Sequence, residues 1–374
     1  MNKEPMYQKI LRDLYNSIEN NKYGIGDKLP SENELSEMYG VSRITSKRAL
    51  EIMADRGYVM RQPGKGTFVI KNPGSSDPGD PDGVYDADSA GDNGEKKTIG
   101  VIMDSFGVSF GPELIRAFEY ECHRRGYLMM LCFSYGSMEA ETEALNKMRN
   151  TGAAGVLMIC AQGETYNSEI LKAHFGNFPI VLVDRSMQGI PIPVVTTDNF
   201  NATRELMDSL LAKGHTRICF LSHSSIQTTT VAERFNAYLT SMSLKGLITD
   251  ETLWVRDLDS SLPADEDETK RVEYAREHIR NYVDNHPDVT AFFAVEFSIA
   301  VMLYEVLKEK GLQDEKDIVY FDGFEGGLGL DHRFTHVMQN QYQMGVTAVR
   351  MLVHMLRGEE VPQKELIPYT IITE

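Results

Sequence analysis

The sequence predicts an α/β chain in two parts. One is a small three-helix head closed by a hairpin, the other a larger body of parallel sheets with helices on both faces. Three observations carry this. Apolar residues follow a helical period up to Gly57, and beyond position 98 continuous apolar runs alternate with helical stretches. Between these regions, 73–95 read PGSSDPGDPDGVYDADSAGDNGE, with seven acids and no Lys or Arg, too polar to offset the entropy of ordering. Charge divides at the same place. Residues 1–72 hold 12 Lys/Arg and 9 Asp/Glu, a net of +3, whereas 73–374 hold 26 and 46, a net of −20, within an overall −17. The expected organisation is a head at 1–72, an acidic flexible linker at 73–97 and a body at 98–374.

In the head, Tyr7, Ile10, Leu11, Leu14, Tyr15 and Ile18 form a helical stripe over 7–20. Ser31, followed by Glu32 and Glu34, is an N-cap with acids in the first turn, so a second helix starts there and stops near Gly40. Ser42 caps a third, with Ala49, Leu50 and Met53 inward and Gly57 at its end. Tyr58–Arg61 and Thr67–Ile70 then read as a hairpin turning at Pro63–Gly66. Three helices plus a hairpin match a winged helix-turn-helix. The third helix is expected to expose Arg43, Thr45, Ser46, Lys47 and Arg48. Arginine can grip guanine edges or phosphate, and threonine can touch phosphate or a thymine methyl.

In the body, strands are expected at Ile99–Met103, Leu128–Phe133, Gly155–Ile159, Ile180–Asp184, Ile218–Ser222, Leu253–Val255, Ala291–Val295 and Ile318–Phe321. Helices fall near 113–125, 138–150, 200–213, 230–244, 269–285, 298–310 and 343–357. So many strands over this length suggest two parallel sheets, whose strand C-termini end where ligands bind. The residues ending strands are Asp104, Ser134, Asp184, Glu296 (after Val295) and Asp322.

Several classes are set aside. No run approaches the roughly 20 apolar residues of a spanning helix, and MNKEPM at the start has no apolar signal core. A cytoplasmic protein with no membrane partner is expected. Cys122, Cys132, Cys160 and Cys219 form no CxxC pair and read as buried free thiols. No phosphate-binding or dinucleotide loop appears, His332 and His336 make an unconvincing metal pair, and no cofactor or metal is expected. Gly107-Val108-Ser109-Phe110-Gly111 fits G-x-S-x-G, and Asp322 and His354 follow in hydrolase order. Against a serine hydrolase stands the single strand preceding Ser109 in the body, because a nucleophile elbow follows an inner strand. The expectation is a non-enzyme, with the hydrolase and a sugar-binding protein without regulatory role as alternatives.

The head resembles the GntR family of bacterial regulators. The matching runs are Lys28-Leu29-Pro30-Ser31-Glu32-Asn33-Glu34-Leu35, Gly40-Val41-Ser42-Arg43, and Gly57-Tyr58-Val59 through Gly64-Lys65-Gly66-Thr67-Phe68-Val69. The resemblance implies DNA contacts by Arg43, Thr45, Lys47, Arg48 and Gly64, with Lys65 beside it on the wing. Asn33 and Lys47 stand where arginine is commoner. Lysine lacks the guanidinium fork, so Lys47 is assigned to phosphate rather than to a base.

The body resembles the effector domain of LacI/GalR regulators, which is periplasmic-binding-protein-like. Runs carrying this include Thr98-Ile99-Gly100-Val101, Arg125-Gly126-Tyr127, Pro179 through Asp184-Arg185, Thr197-Asp198-Asn199, Lys213-Gly214-His215, Glu233-Arg234-Phe235, Val319 through Gly323, and Gln339 with Gly345. It implies two α/β lobes around a cleft, with effector contacts at Asp104, Asp184, Arg234, Asp322 and Gln339. Carboxylates accept from sugar hydroxyls, Arg234 supplies a fork and Phe106 or Phe110 an aromatic face; Glu296 replaces a usual amide. The pairing of head and body resembles the arabinose-responsive repressors. The expectation is a homodimeric repressor on double-stranded operator DNA, released by a small sugar, L-arabinose or another pentose first.

Overall fold

The computed structural model describes residues 6–19, 22–24, 26–55, 58–62, 66–69, 97–105, 107, 109–161, 166–223, 228–258, 268–323 and 333–373. The chain divides into two units, Met1–Ser89 and Ala90–Glu374. Most of the expected linker, 73–96, and the wing residues Gly64 and Lys65 lie outside the described residues.

The head holds α1 (Met6–Glu19), α2 (Glu32–Tyr39) and α3 (Arg43–Asp55), then β1 (Val59–Gln62) paired antiparallel with β2 (Gly66–Val69). The capping expected at Ser31 is a full capping box. Its Oγ accepts from Glu34 N at 3.3 Å, and Glu34 Oε2 accepts from Ser31 N at 2.7 Å. Gly40 ends α2 at φ 63°, a left-handed turn that suits glycine. Ser42 caps α3 through Thr45 N at 3.3 Å. Ile10, Leu14, Ile18, Leu29, Leu35, Leu50, Met53 and Val69 close the core. Ser46, expected at the surface, is fully buried within α3 instead.

The body's first lobe is built from β3 (Thr98–Met103), α4 (Pro112–Arg124), β4 (Leu128–Phe133), α5 (Met138–Asn150), β5 (Gly155–Met158), α6 (Ser168–Phe175), β6 (Ile180–Val183) and β7 (Val194–Thr197). The chain then crosses into the second lobe: α7 (Asn199–Ala212), β8 (Ile218–Leu221), α8 (Thr229–Leu244), β9 (Trp254–Val255), α9 (Glu268–Asn285), β10 (Ala291–Ala294), α10 (Phe297–Glu309), β11 (Asp317–Phe321) and β12 (His336–Gln339). It returns for α11 (Gln341–Leu356) and β13 (Lys364–Ile367), then crosses once more for β14 (Tyr369–Ile372). The sheets run β13-β7-β6-β5-β3-β4 and β14-β12-β11-β10-β8-β9, parallel except for the β12–β14 pair. The strand order is thus the same in both lobes, a duplication with no fixed-period trace in the sequence.

The continuous apolar strands are buried on both faces, as parallel sheets require. Packing of α11 on α4 is backbone-close: a Cβ at Gly345 would sit 2.6 Å from Ala117 Cβ. The exception to burial is β4, an edge strand of six apolar residues that is exposed at Leu128 (50%) and half-buried along the rest. Cys132 lies on it, so the expectation of four buried thiols holds for Cys122, Cys160 and Cys219 only. Burial pushes Cys122 and Cys219 up to about 12, which keeps both as unreactive thiols.

Candidate functional site

Two equivalent strands, β6 and β11, end in aspartates, and both aspartates take the left-handed conformation, Asp184 and Asp322 each at φ 64°. Aspartate tolerates this region better than most residues, and such strain concentrates at functional positions. In the first lobe Asp104, at the end of β3, holds Arg185 Nη1 at 2.6 Å, and Arg185 Nε lies 3.8 Å from Asp184 Oδ2. Behind them Glu141 is buried, accepting from Ala161 N at 2.6 Å and Asn167 Nδ2 at 2.9 Å. Burial holds its carboxyl above the usual range. Asp184 is 9% exposed and its Oδ1 has no hydrogen-bond partner. Burial raises its pKa against the opposing pull of Arg185 and Arg234.

In the second lobe Arg234, on the first turns of α8, is 5% exposed. Its Nε donates to Asn199 Oδ1 at 2.8 Å, its Nη1 to Val295 O at 2.6 Å, and its Cζ sits 3.9 Å from the centroid of the Phe321 ring. Arg234 Nη1 lies 4.0 Å from Asp322 Oδ2. Burial pushes Asp322 up to about 6, countered by Arg234 and Gln339 and reinforced by the charges of Asp184 and Glu296. Thr196 Oγ1 donates to Asp184 O at 2.7 Å, and the next residue, Thr197, is bonded through Gln339 to Asp322, so the strand ends of the two lobes meet at one cleft.

Gln339, on the second crossing, joins the parts. Its Nε2 donates to Asp322 Oδ1 at 2.5 Å, and its Oε1 accepts from Thr197 Oγ1, on the first crossing, at 2.5 Å. Gln341, two residues on, accepts from Gly111 N at 2.8 Å and donates to Ser109 O at 2.7 Å, pinning the loop that carries Phe110. Further bonds between the lobes run from Ser186 N to Thr229 Oγ1 (3.0 Å) and from Lys364 Nζ to Glu233 Oε1 (2.9 Å).

Of the expected effector contacts, Asp104, Asp184, Arg234, Asp322 and Gln339 belong to this linked set. Glu296 neighbours it and accepts from Ser298 Oγ at 2.5 Å. Phe110 packs partly buried against the first lobe's core, while Phe106 lies outside the described residues. Arg185, Asn199, Thr197 and Gln341 were missed as site residues. The Asp-Arg doublet directly after an apolar strand was the available signal for Arg185. A shallow cavity of about 470 Å³, lined by Ser186, Ile190, Pro191, Val194 and Gln363 among others, opens beside the Ser186–Thr229 bond and carries no charged side chain.

The strand preceding Ser109 departs from the expectation. β3 lies between β4 and β5, so Ser109 does follow an inner strand. What separates the three residues is distance. Gln341 touches Ser109, and His354 lies thirteen residues further along the same helix, about 20 Å at 1.5 Å per residue. His354 is paired with Glu359 instead. Among the described residues no cluster of three or more His, Cys, Asp or Glu is placed to hold a metal ion.

On the head, α3 presents Arg43, whose Nε meets Glu32 Oε2 at 2.8 Å, and Lys47, 3.5 Å from Glu51 Oε1. Arg48 lies over the Tyr7 ring at 4.7 Å. Thr45 is half-buried and shares a 2.9 Å bond with Ser42 Oγ. These cations are exposed but held by weak surface pairs, each contributing ~1 kcal/mol or less, which a phosphate can displace.

A helix-turn-helix head and a two-lobed cleft domain on one chain define a DNA-binding transcriptional regulator with a ligand-sensing body. Residues 96–374 match the family "Periplasmic binding proteins and sugar binding domain of LacI family", and the chain belongs to it; residues 6–69 match "Bacterial regulatory proteins, gntR family". The chain is 24% identical over 364 residues to the arabinose metabolism transcriptional repressor of Geobacillus stearothermophilus, covering 96% of this chain and 93% of that protein. It is 22% identical over 281 residues to the ribose operon repressor of Escherichia coli, covering 74% and 81%. The fold is similar to that of the transcription regulator CcpA of Lactococcus lactis, at TM-score 0.62 and 19% identity, covering 75% of this chain and all of that one.

Proposed function

We propose that the protein is a repressor whose head holds operator DNA and whose cleft binds a small uncharged sugar that releases it, a pentose with L-arabinose first. The observation that carries the sugar reading is the cleft itself. Carboxylates outnumber guanidiniums there, both guanidiniums already face carboxylates, and Asp184 Oδ1 is buried with no donor. Such a site seeks hydroxyl donors and repels anions. The relatives named for arabinose and ribose point to the same class of effector.

Arg43, Lys47 and Arg48 are assigned to operator contact on α3, with Thr45 at its flank and Gly64 and Lys65 on the wing. The body is the dimerising part. Its apolar edge strand β4, flanked by Tyr120 at 46% exposure on α4, supports an isologous contact with a second copy. A two-fold dimer implies a near-palindromic operator. Sugar and DNA then oppose each other by linkage: if sugar weakens operator binding, operator weakens sugar binding by the same factor. No described helix is long and apolar enough to cross a membrane, and a cytoplasmic location fits a DNA-binding role.

The test is a thermal-shift screen of the full chain against neutral pentoses, hexoses, sugar phosphates and sugar acids, followed by gel shifts with any hit. A ligand at about 100 times its Kd adds about 2.7 kcal/mol. The expected result is a rise in Tm with a neutral pentose that also dissociates the operator complex. A panel in which only anionic sugars stabilise the protein would refute the reading.

A further inference from the structure

Helix α3 has one buried side and one free side, and the residue at the centre of the free side is apolar. At about 100° per residue, buried Ser46, Ala49, Leu50 and Met53 define the inward direction. Ile44 then falls within about 10° of the opposite direction. It is 78% exposed, in the first turn, with Arg43 and Lys47 to one side and Arg48 to the other. A β-branched, solvent-facing isoleucine contributes nothing to the head's core and is a poorer helix former than the alanine or lysine that would serve a plain surface. Glu51 lies on the same face two turns on, so the acid of this face stands away from the N-terminal turn that carries Ile44.

We infer that Ile44 is a base-reading residue that packs on the 5-methyl group of a thymine in the major groove. Thymine is the one base whose major-groove edge offers an apolar group. Thr45, the residue the sequence offered for that role, points to the flank, half-buried, with its hydroxyl bonded to Ser42. Lys47 is assigned to phosphate, which carries no sequence information, and Arg43 and Arg48 can grip phosphate or a guanine edge. Contact with a thymine methyl falls to the apolar residue between them. This inference rests on the DNA-binding reading of the head.

The experiment uses the full chain. Its preferred duplex is selected from a random library, and each thymine is then replaced singly by deoxyuridine, which removes only the methyl group. One position is expected to weaken wild-type binding about fourfold, the worth of one buried methyl at ~0.8 kcal/mol. Ile44→Ala should bind the thymine duplex at least fourfold more weakly and lose all discrimination at that position. Ile44→Val should keep it. Both variants should melt like wild type, because the side chain is exposed. Indifference of the wild-type protein to every deoxyuridine, or unchanged discrimination by Ile44→Ala, overturns the inference while leaving DNA binding intact. Failure to select any sequence overturns the DNA-binding reading and this inference with it.

Discussion

Replacing Asp322 by Asn should make the protein more stable and less able to bind its effector, and the gain should depend on pH in a defined direction. Asp322 is enclosed at the end of β11, with Gln339 Nε2 at 2.5 Å and Arg234 Nη1 no closer than 4.0 Å. Burial raises its pKa from 3.8 to about 6. Below about pH 4 folded and unfolded chains both carry the proton, and the site costs nothing. Between about 4 and 6 the folded state keeps a proton that the unfolded state has lost, so stability falls as pH rises. Above about 6 the full cost is present, and the gap corresponds to about 3 kcal/mol at 1.36 kcal/mol per pH unit. Asparagine keeps the shape and the acceptor for Gln339 but carries no charge. Urea unfolding of the full chain should therefore show near-equal stability of Asp322→Asn and wild type at pH 4, and a gain of up to about 3 kcal/mol at pH 7.5. In Tm this is roughly 6 °C or more at 2–4 °C per kcal/mol. Sugar affinity, measured by calorimetry at pH 7.5, should drop at least tenfold. A stability difference that is the same at both pH values would refute the reasoning, because it would mean that the carboxylate is not penalised by its enclosure.

Other outcomes are expected from the same geometry. Arg43→Ala should abolish operator binding in a gel shift and leave sugar affinity unchanged. Arg234→Ala removes the charged donor from Asn199 and Val295 O; it should cost roughly 3 kcal/mol of stability and leave an operator complex that no longer responds to sugar. Operator affinity should fall with salt at a log–log slope of about −7 if Arg43, Lys47, Arg48 and Lys65 each neutralise one phosphate in both protomers. Leu128→Lys, on the exposed edge of β4, should shift sedimentation from dimer to monomer without lowering Tm in the monomer's own baseline; an unchanged dimer would move the interface elsewhere.

Much of the fold was legible because its signals are local. The apolar strands β3, β4, β8 and β10 stand between turn residues, and the capping of α2 and α3 is written in Ser31 and Ser42. What went unread is short or depends on distant partners. The four-residue strands β7, β12, β13 and β14 carry polar ends such as His336, Gln339 and Lys364, and owe their conformation to neighbours remote in the sequence. Ser46 looked like one more exposed hydroxyl, and only its phase on α3 buries it. In the cleft, residues ending strands were predictable from topology. Gln341 was not: an amide holding a loop 230 residues away leaves no mark in its own surroundings.

The three crossings also govern the order in which the body can form. The first lobe begins at Thr98 yet lacks α11 and β13 until Ile367 has been made, so the surface of β5, β6 and α4 that α11 covers stays bare through most of synthesis. The second lobe, which begins a hundred residues later, gains its fifth parallel strand before the first has its sixth. A chain stopped before codon 341 would lack β14 from the second lobe and both α11 and β13 from the first, leaving the earlier lobe without the helix that covers its sheet. Premature stop codons in this gene should therefore yield aggregation rather than a usable half-body.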